Sequence, residues 1–272
     1  MSLTTDQSMF NYPSLRPNTT AWIVYRRSAP LPAAKSVNQF PSFDDINLVP
    51  LNAMRVAHYD KLITAEVAFA TINGINYATI NGQTYSPANV PTLFSALTLG
   101  NRALDPREYG STTNTFVLNY LDEVRIVINN LDTGNHPCIH SIYLKCLTYV
   151  VHIHGHSFQV LYRSPPNAGV FNPRRMPPTR PNPVRRDVIV VNSKGYAIIA
   201  FRADNPGCWF LCVPQMNEIT SSHCHIDWHL VSGMVAQFVE APLQIQWRIQ
   251  VPNQVIKQCT SQGIPISGPG NG

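Results

Sequence analysis

The residues best suited to chemistry stand in one run, His223-Cys224-His225-Ile226-Asp227-Trp228-His229-Leu230-Val231-Ser232-Gly233-Met234. Cys224, His229 and Met234 are spaced five apart, and a histidine sits on each side of the cysteine. Thiolate, imidazole and thioether together make the ligand set of a blue-copper electron-transfer site, two histidines and a cysteine with a weak axial methionine. In an extended strand successive side chains point to opposite faces. His223 and His225 would then project one way and Cys224 the other. One backbone segment could bind copper on both faces, with two short covalent routes for an electron between them. Zinc is the rival metal for a His/Cys set, but it has no use for the thioether.

Of the nine histidines, eight fall in two clusters. The upstream cluster is His136, His140, His152, His154 and His156; the downstream one is His223, His225 and His229. His58 stands alone and is read as an ordinary surface or core residue. Alternation puts His152 and His154 on one strand face, as a chelating pair requires. Six cysteines without a dense spacing pattern do not make a disulfide scaffold, and a pairing of Cys208 with Cys259 is left open.

These side chains need a rigid carrier, and the composition points to strands. The chain has 272 residues, 44% hydrophobic and 13% charged, with 23 prolines that argue against a helical bundle. From about Ile46 to Trp247, short β-rich runs alternate with Gly, Asn, Asp and Pro. They are Glu66–Ile72, Asn114–Leu118, Val124–Ile128, Phe158–Tyr162, Val188–Val191, Ala197–Phe201 and Val235–Val239, a pattern that predicts a sandwich or barrel. Pro91–Leu99 reads as a short helix or turn. The paired Asn73-Gly74 and Asn81-Gly82 read as local hairpin chemistry. Residues 1–45 contain one strand-like run, Thr20–Tyr25, and a proline-rich linker, too little to bury a core. Residues 248–272 read as a polar tail. The loop 172–186, with five prolines and five arginines, reads as solvated surface. A net charge of +5, largely in that loop, implies no nucleic-acid partner. No apolar run approaches the ~18 residues of a membrane span, and no signal peptide is visible.

Together the motifs resemble the C-terminal cupredoxin domain of fungal multicopper oxidases, the laccase and iron-oxidase (ferroxidase) group, from about Thr20 to about Trp247. Those carrying the resemblance are Asn130-Leu131-Asp132-Thr133-Gly134-Asn135-His136-Pro137, His152-Ile153-His154-Gly155-His156-Ser157-Phe158, Arg185-Arg186-Asp187, Asn205-Pro206-Gly207-Cys208-Trp209-Phe210 and the run 223–234. The resemblance implies an all-β, cupredoxin-like Greek-key sandwich or barrel over 46–247, preceded by a remnant of another cupredoxin domain in 1–45. It implies type 1 copper ligands at His136, Cys224 and His229, with Met234 axial. His152 would be a type 2 ligand, and His154, His223 and His225 type 3 ligands of a trinuclear cluster; His156 matches a position that is not a ligand. The implied activity is oxidation of a phenolic or ferrous substrate. Electrons would run through Cys224, His223 and His225 to the cluster, where O₂ becomes water. Asp132 matches a substrate-side carboxylate of the iron-oxidising branch, and reads equally as an acceptor in the Asp-Thr-Gly turn. Relatives are secreted or cell-surface proteins.

The sequence departs from that pattern in three places. Fourteen residues, Cys138 to Val151, separate Pro137 from His152, and eleven, Cys212 to Ser222, separate Leu211 from His223. Both stretches read as insertions, and as translated introns that sequencing of the mature transcript would show to be absent. The other four cluster histidines belong to a first cupredoxin domain, missing here. A truncated oxidase holding a type 1 site and half a cluster is therefore expected, without O₂ reduction by this chain alone. A single-domain blue-copper carrier and a metal-free, non-functional product are the rival readings.

Overall fold

The computed structural model describes residues 2–4, 18–33, 44–56, 58–132, 148–212 and 233–271. The described residues before Asp45 belong to a unit separate from the one that begins at Ile46. In the first unit β1 (Ser2–Thr4) pairs antiparallel with β2 (Asn18–Thr20). The strand expected over Thr20–Tyr25 ends at Thr20, because the pairing ends there. Ile23, Val24 and Tyr25 lie exposed beyond it.

The main unit opens with β3 (Lys61–Ile72) and β4 (Ile75–Ile80), an antiparallel hairpin closed over Asn73-Gly74. Both turn residues have positive φ, 52° and 80°, the condition for a two-residue turn whose twist matches its strands. The second Asn-Gly repeats this at 54° and 76°, bridging Ile80 to Gln83. After α1 (Thr92–Thr98) come β5 (Thr115–Leu118) and β6 (Glu123–Asn130). Next are β7 (Thr148–Ile153), β8 (Phe158–Arg163), the short β9 (Arg185–Arg186) and β10 (Val188–Asn192). β11 (Tyr196–Arg202), β12 (Gly207–Cys212) and β13 (Val235–Glu240) complete the strands. α2 (Pro242–Arg248) and α3 (Asn253–Ser261) follow.

Two sheets result, ordered β4-β3-β6-β11-β8-β9 and β10-β7-β12-β13-β5. The β3–β6 and β5–β13 pairs are parallel, and the other pairs of these sheets are antiparallel. Alternation is plain in β3, where Ile63, Ala65 and Val67 are buried and Leu62, Thr64 and Glu66 exposed. These join Ile126, Ile128 and Ile199 from the same sheet and Val151, Ile153, Val191, Leu211 and Phe238 from the other in one core. A second cluster, with Tyr109, Val239 and Ile245, lies where α1 and α2 cover the outer side of β13. All six residues of β13 are therefore buried, and strands covered on both faces lose the alternating pattern.

The borders of the two expected insertions fall inside strands. Residues 148–151 form the first part of β7 and pair with β10, and Cys212 ends β12 opposite Val235. The rest of both stretches, 138–147 and 213–222, lies outside the described residues. Residues 248–271 belong to the main unit and carry α3, and the chain beyond it is tied to the segments at Asn89 and Glu108. The Gly270 N–H donates to Glu108 O at 2.6 Å, and Gly270 O accepts from Asn89 N–H at 2.9 Å.

Candidate metal centre

β7 carries the upstream histidines. Its residues pair with β10 on one side (His152 opposite Val188) and β12 on the other (Ile153 opposite Leu211). Ile153 points into the core, fully buried, so His152 and His154 share the opposite face. Their rings lie with centroids 4.9 Å apart, inclined by 51°. His152 Nδ1 is 2.8 Å from the Asp187 carbonyl, which can only accept. The Nδ1–H donates there, which fixes the tautomer and leaves the lone pair on Nε2, the arrangement found behind metal-bound imidazoles. The Asp187 carboxylate is 4.0 Å from the same nitrogen. His154 is held through its backbone, N–H to Phe210 O at 3.0 Å, and its ring meets Phe210 edge to face.

The chain then turns at Gly155 (φ +73°), where a Cβ would lie 2.6 Å from the Trp209 ring. Only glycine fits this close approach. Trp209 Nε1 donates to Asn205 O at 2.8 Å, and Asn205 Nδ2 donates to Gly155 O at 3.0 Å. His156 turns inward. Its Nε2 lies at ion-pair distance, 2.9 Å, from Glu240 Oε2, with the two side chains 5% and 0% exposed. Its Nδ1 is 3.2 Å from His154 O. The other carboxylate oxygen of Glu240 accepts from Asn205 N–H at 2.6 Å. Burial alone would lower the His156 pKa, but the Glu240 carboxylate, by contact and by charge, outweighs it and holds the imidazole above its ordinary value. Both ring nitrogens of His156 thus face protein oxygens.

Met234 is 2% exposed, in the main core just before β13. Asp132 is 5% exposed. Its N–H donates to Asn130 Oδ1 at 2.9 Å and its carbonyl accepts from Ser193 Oγ at 3.2 Å. His136, His223, Cys224, His225 and His229 lie outside the described residues, as do Thr133 and Gly134 of the Asp-Thr-Gly turn. Among the described residues, no three His, Cys, Asp or Glu side chains converge as a metal site. Cys208 and Cys259 are both free thiols, and burial pushes the Cys208 thiol up to about 12. Two supports were not foreseen from sequence. The Asp187 carbonyl had a signal, since Asp187 belongs to the Arg-Arg-Asp motif; Glu240, at the end of an apolar run, had none.

The donors present suit copper: two adjacent imidazoles, one with its tautomer set for ligation, and a buried thioether. The multicopper oxidase family model matches residues 85–244, more than half of the chain. The chain belongs to the multicopper oxidase family. That membership makes copper the cofactor of the family and oxidation–reduction its chemistry. It is 37% identical over 272 residues to an iron transport multicopper oxidase of Gibberella zeae, covering 97% of this chain and 39% of that protein. With the corresponding protein of Schizosaccharomyces pombe the figures are 35%, 98% and 40%. Among solved structures, Fet3p, a multicopper oxidase that functions in iron import, superposes with a TM-score of 0.76 at 33% identity, over 98% of this chain and 48% of that one. The laccase of Botrytis aclada gives 0.60 at 27% identity, over 87% and 39%. The multicopper oxidase chain thus has an all-β, cupredoxin-like fold and spans about two fifths of the length of the relatives it matches.

Proposed function

We propose that the chain supplies the C-terminal copper-binding part of an oxidase that takes electrons from Fe²⁺ and passes them to O₂. The observation that carries this reading is the His152–His154 pair, side by side on β7, with His152 Nδ1 tied to Asp187. His136, Cys224, His229 and Met234 would hold a type 1 copper, His152 a type 2 copper, and His154, His223 and His225 type 3 coppers. Copper bound there would supply one-electron oxidation at a copper–thiolate centre and, with the ligands from elsewhere, four-electron reduction of O₂ to water at the cluster. Cys224, flanked by His223 and His225, offers the covalent path between the two. The similarity to iron transport oxidases favours Fe²⁺ over a phenol as reductant. Asp132 is then a candidate carboxylate on the substrate side. The remaining cluster ligands would come from further cupredoxin domains, and location at the cell surface or outside the cell goes with that assignment. No helix among the described residues is long and apolar enough to cross a membrane.

Copper loading of the purified chain tests this. The expected result is one intense absorption in the red, lost in Cys224→Ser, and no O₂ uptake with Fe²⁺ by this chain alone. No such band in the wild-type chain would defeat the type 1 assignment. O₂ uptake would defeat the assignment of half the cluster to other domains.

A further inference from the structure

Three of the proposed copper ligands are described, and for Met234 the restraints come from outside the ligand motifs. The Gly233 carbonyl accepts from the Tyr85 N–H at 2.9 Å and from the Val235 N–H at 2.9 Å. The second bond closes a three-residue turn centred on Met234. On the other side, Asn114 Nδ2 donates to Val235 O at 3.0 Å and to Gln83 O at 3.2 Å. The Asn114 carbonyl accepts from the Gln237 N–H at 3.2 Å. Gly233 has φ +91°, and a Cβ there would stand 2.1 Å from Thr84 Cγ2 and 3.0 Å from Tyr85 N. Both residues flanking Met234 are thus held, Gly233 by the 83–85 segment and Val235 by Asn114.

The two clamping segments are also joined to each other. The Ser86 N–H donates to Thr112 O at 2.9 Å, Thr112 Oγ1 donates to Ser86 O at 3.1 Å, and Gln83 Nε2 donates to Ser111 O. Asn114 itself has φ 49°, a left-handed conformation that asparagine tolerates better than most side chains. Its amide has two N–H groups, and each meets one carbonyl here. Nothing in its position suggests a ligand; what it does is join Gln83 to Val235.

We propose that Asn114 is a positioning residue for the axial thioether: by tying Val235 to the 83–85 segment it fixes the backbone on both sides of Met234. The axial donor of a blue-copper site is held by a weak, long bond and tunes the reduction potential. Such a bond cannot pull its ligand into place, so the protein must place it. The inference rests on the type 1 reading of Met234, and its test separates the two.

Asn114→Gly keeps the left-handed backbone without strain and removes both donors; Asn114→Asp keeps the shape and replaces the amide donors. In the metal-free full chain, carrying ¹³C-methyl methionine, the Met234 signal is assigned by its loss in Met234→Leu. Both Asn114 variants are expected to shift or broaden that signal and to speed exchange of the Tyr85 amide about tenfold, by releasing local structure. In the copper-loaded chain they are expected to keep the copper content and move the reduction potential toward that of Met234→Leu. A Met234 signal and Tyr85 exchange like those of the wild type in either variant overturn the proposal, as does an unchanged potential. A wild-type chain that gives no copper–thiolate band overturns the type 1 reading instead, and the metal-free measurements still decide whether Asn114 holds Met234.

Discussion

His156 and Glu240 show what a buried charge requires of its neighbours. The two groups meet 2.9 Å apart with almost no exposure, so each depends on the other for compensation. Glu240→Gln leaves the imidazole beside a neutral amide, and removing one partner of a buried pair costs about 3–5 kcal/mol. Urea unfolding of this variant is expected to show a loss of that order, while His156→Phe with Glu240→Gln together should lose less than the sum of the single changes. Cys208 is a second case. Burial holds its thiol far above the usual range, to about 12, so almost no thiolate exists at pH 8. Both thiols are half-buried, and iodoacetamide at that pH, followed by peptide mass mapping, is expected to label Cys208 far more slowly than after the chain is unfolded.

At the scale of elements, two glycines separate backbone demand from packing demand. Gly82 has φ +76° and open space where a Cβ would go, whereas Gly155 has φ +73° and the Trp209 ring 2.6 Å away. Gly82→Ala is expected to cost about 1–2 kcal/mol, the strain of a left-handed non-glycine residue. Gly155→Ala should cost clearly more and alter the tryptophan fluorescence, which denaturant titration followed by emission would show together. The same turns mark what could be read from the chain. The Asn-Gly hairpins and the alternating strands were legible, because the signals are local. So was the shared face of His152 and His154, two residues apart on one strand. β7 was obscured because the first four of its six residues read as part of an insertion, and β9 is too short to signal. The helix at Asn253–Ser261 buries no residue and spans only nine, so its few apolar side chains, Val255, Ile256 and Cys259, do not stand out in a polar stretch. Asn114 could not have been found: its partner Val235 is 121 positions away, and only the fold brings them together.

For the whole molecule, the buried core of the described residues lies at or beyond Ile46, and residues 21–33 are exposed throughout. The sheet order carries a further consequence. β13 lies between β12 and β5, and its parallel partner β5 precedes it by more than a hundred residues. During synthesis the five-stranded sheet cannot close until the stretch after Met234 has left the ribosome. Until then β12 and β5 present unpaired backbone edges, which invite pairing with other chains. Long-range parallel pairing is also slow to form. A nascent chain of this protein must therefore carry the β5 edge open once Leu118 is made and the β12 edge beside it once Cys212 is made, and a stall just short of Val235 would leave a species primed to aggregate.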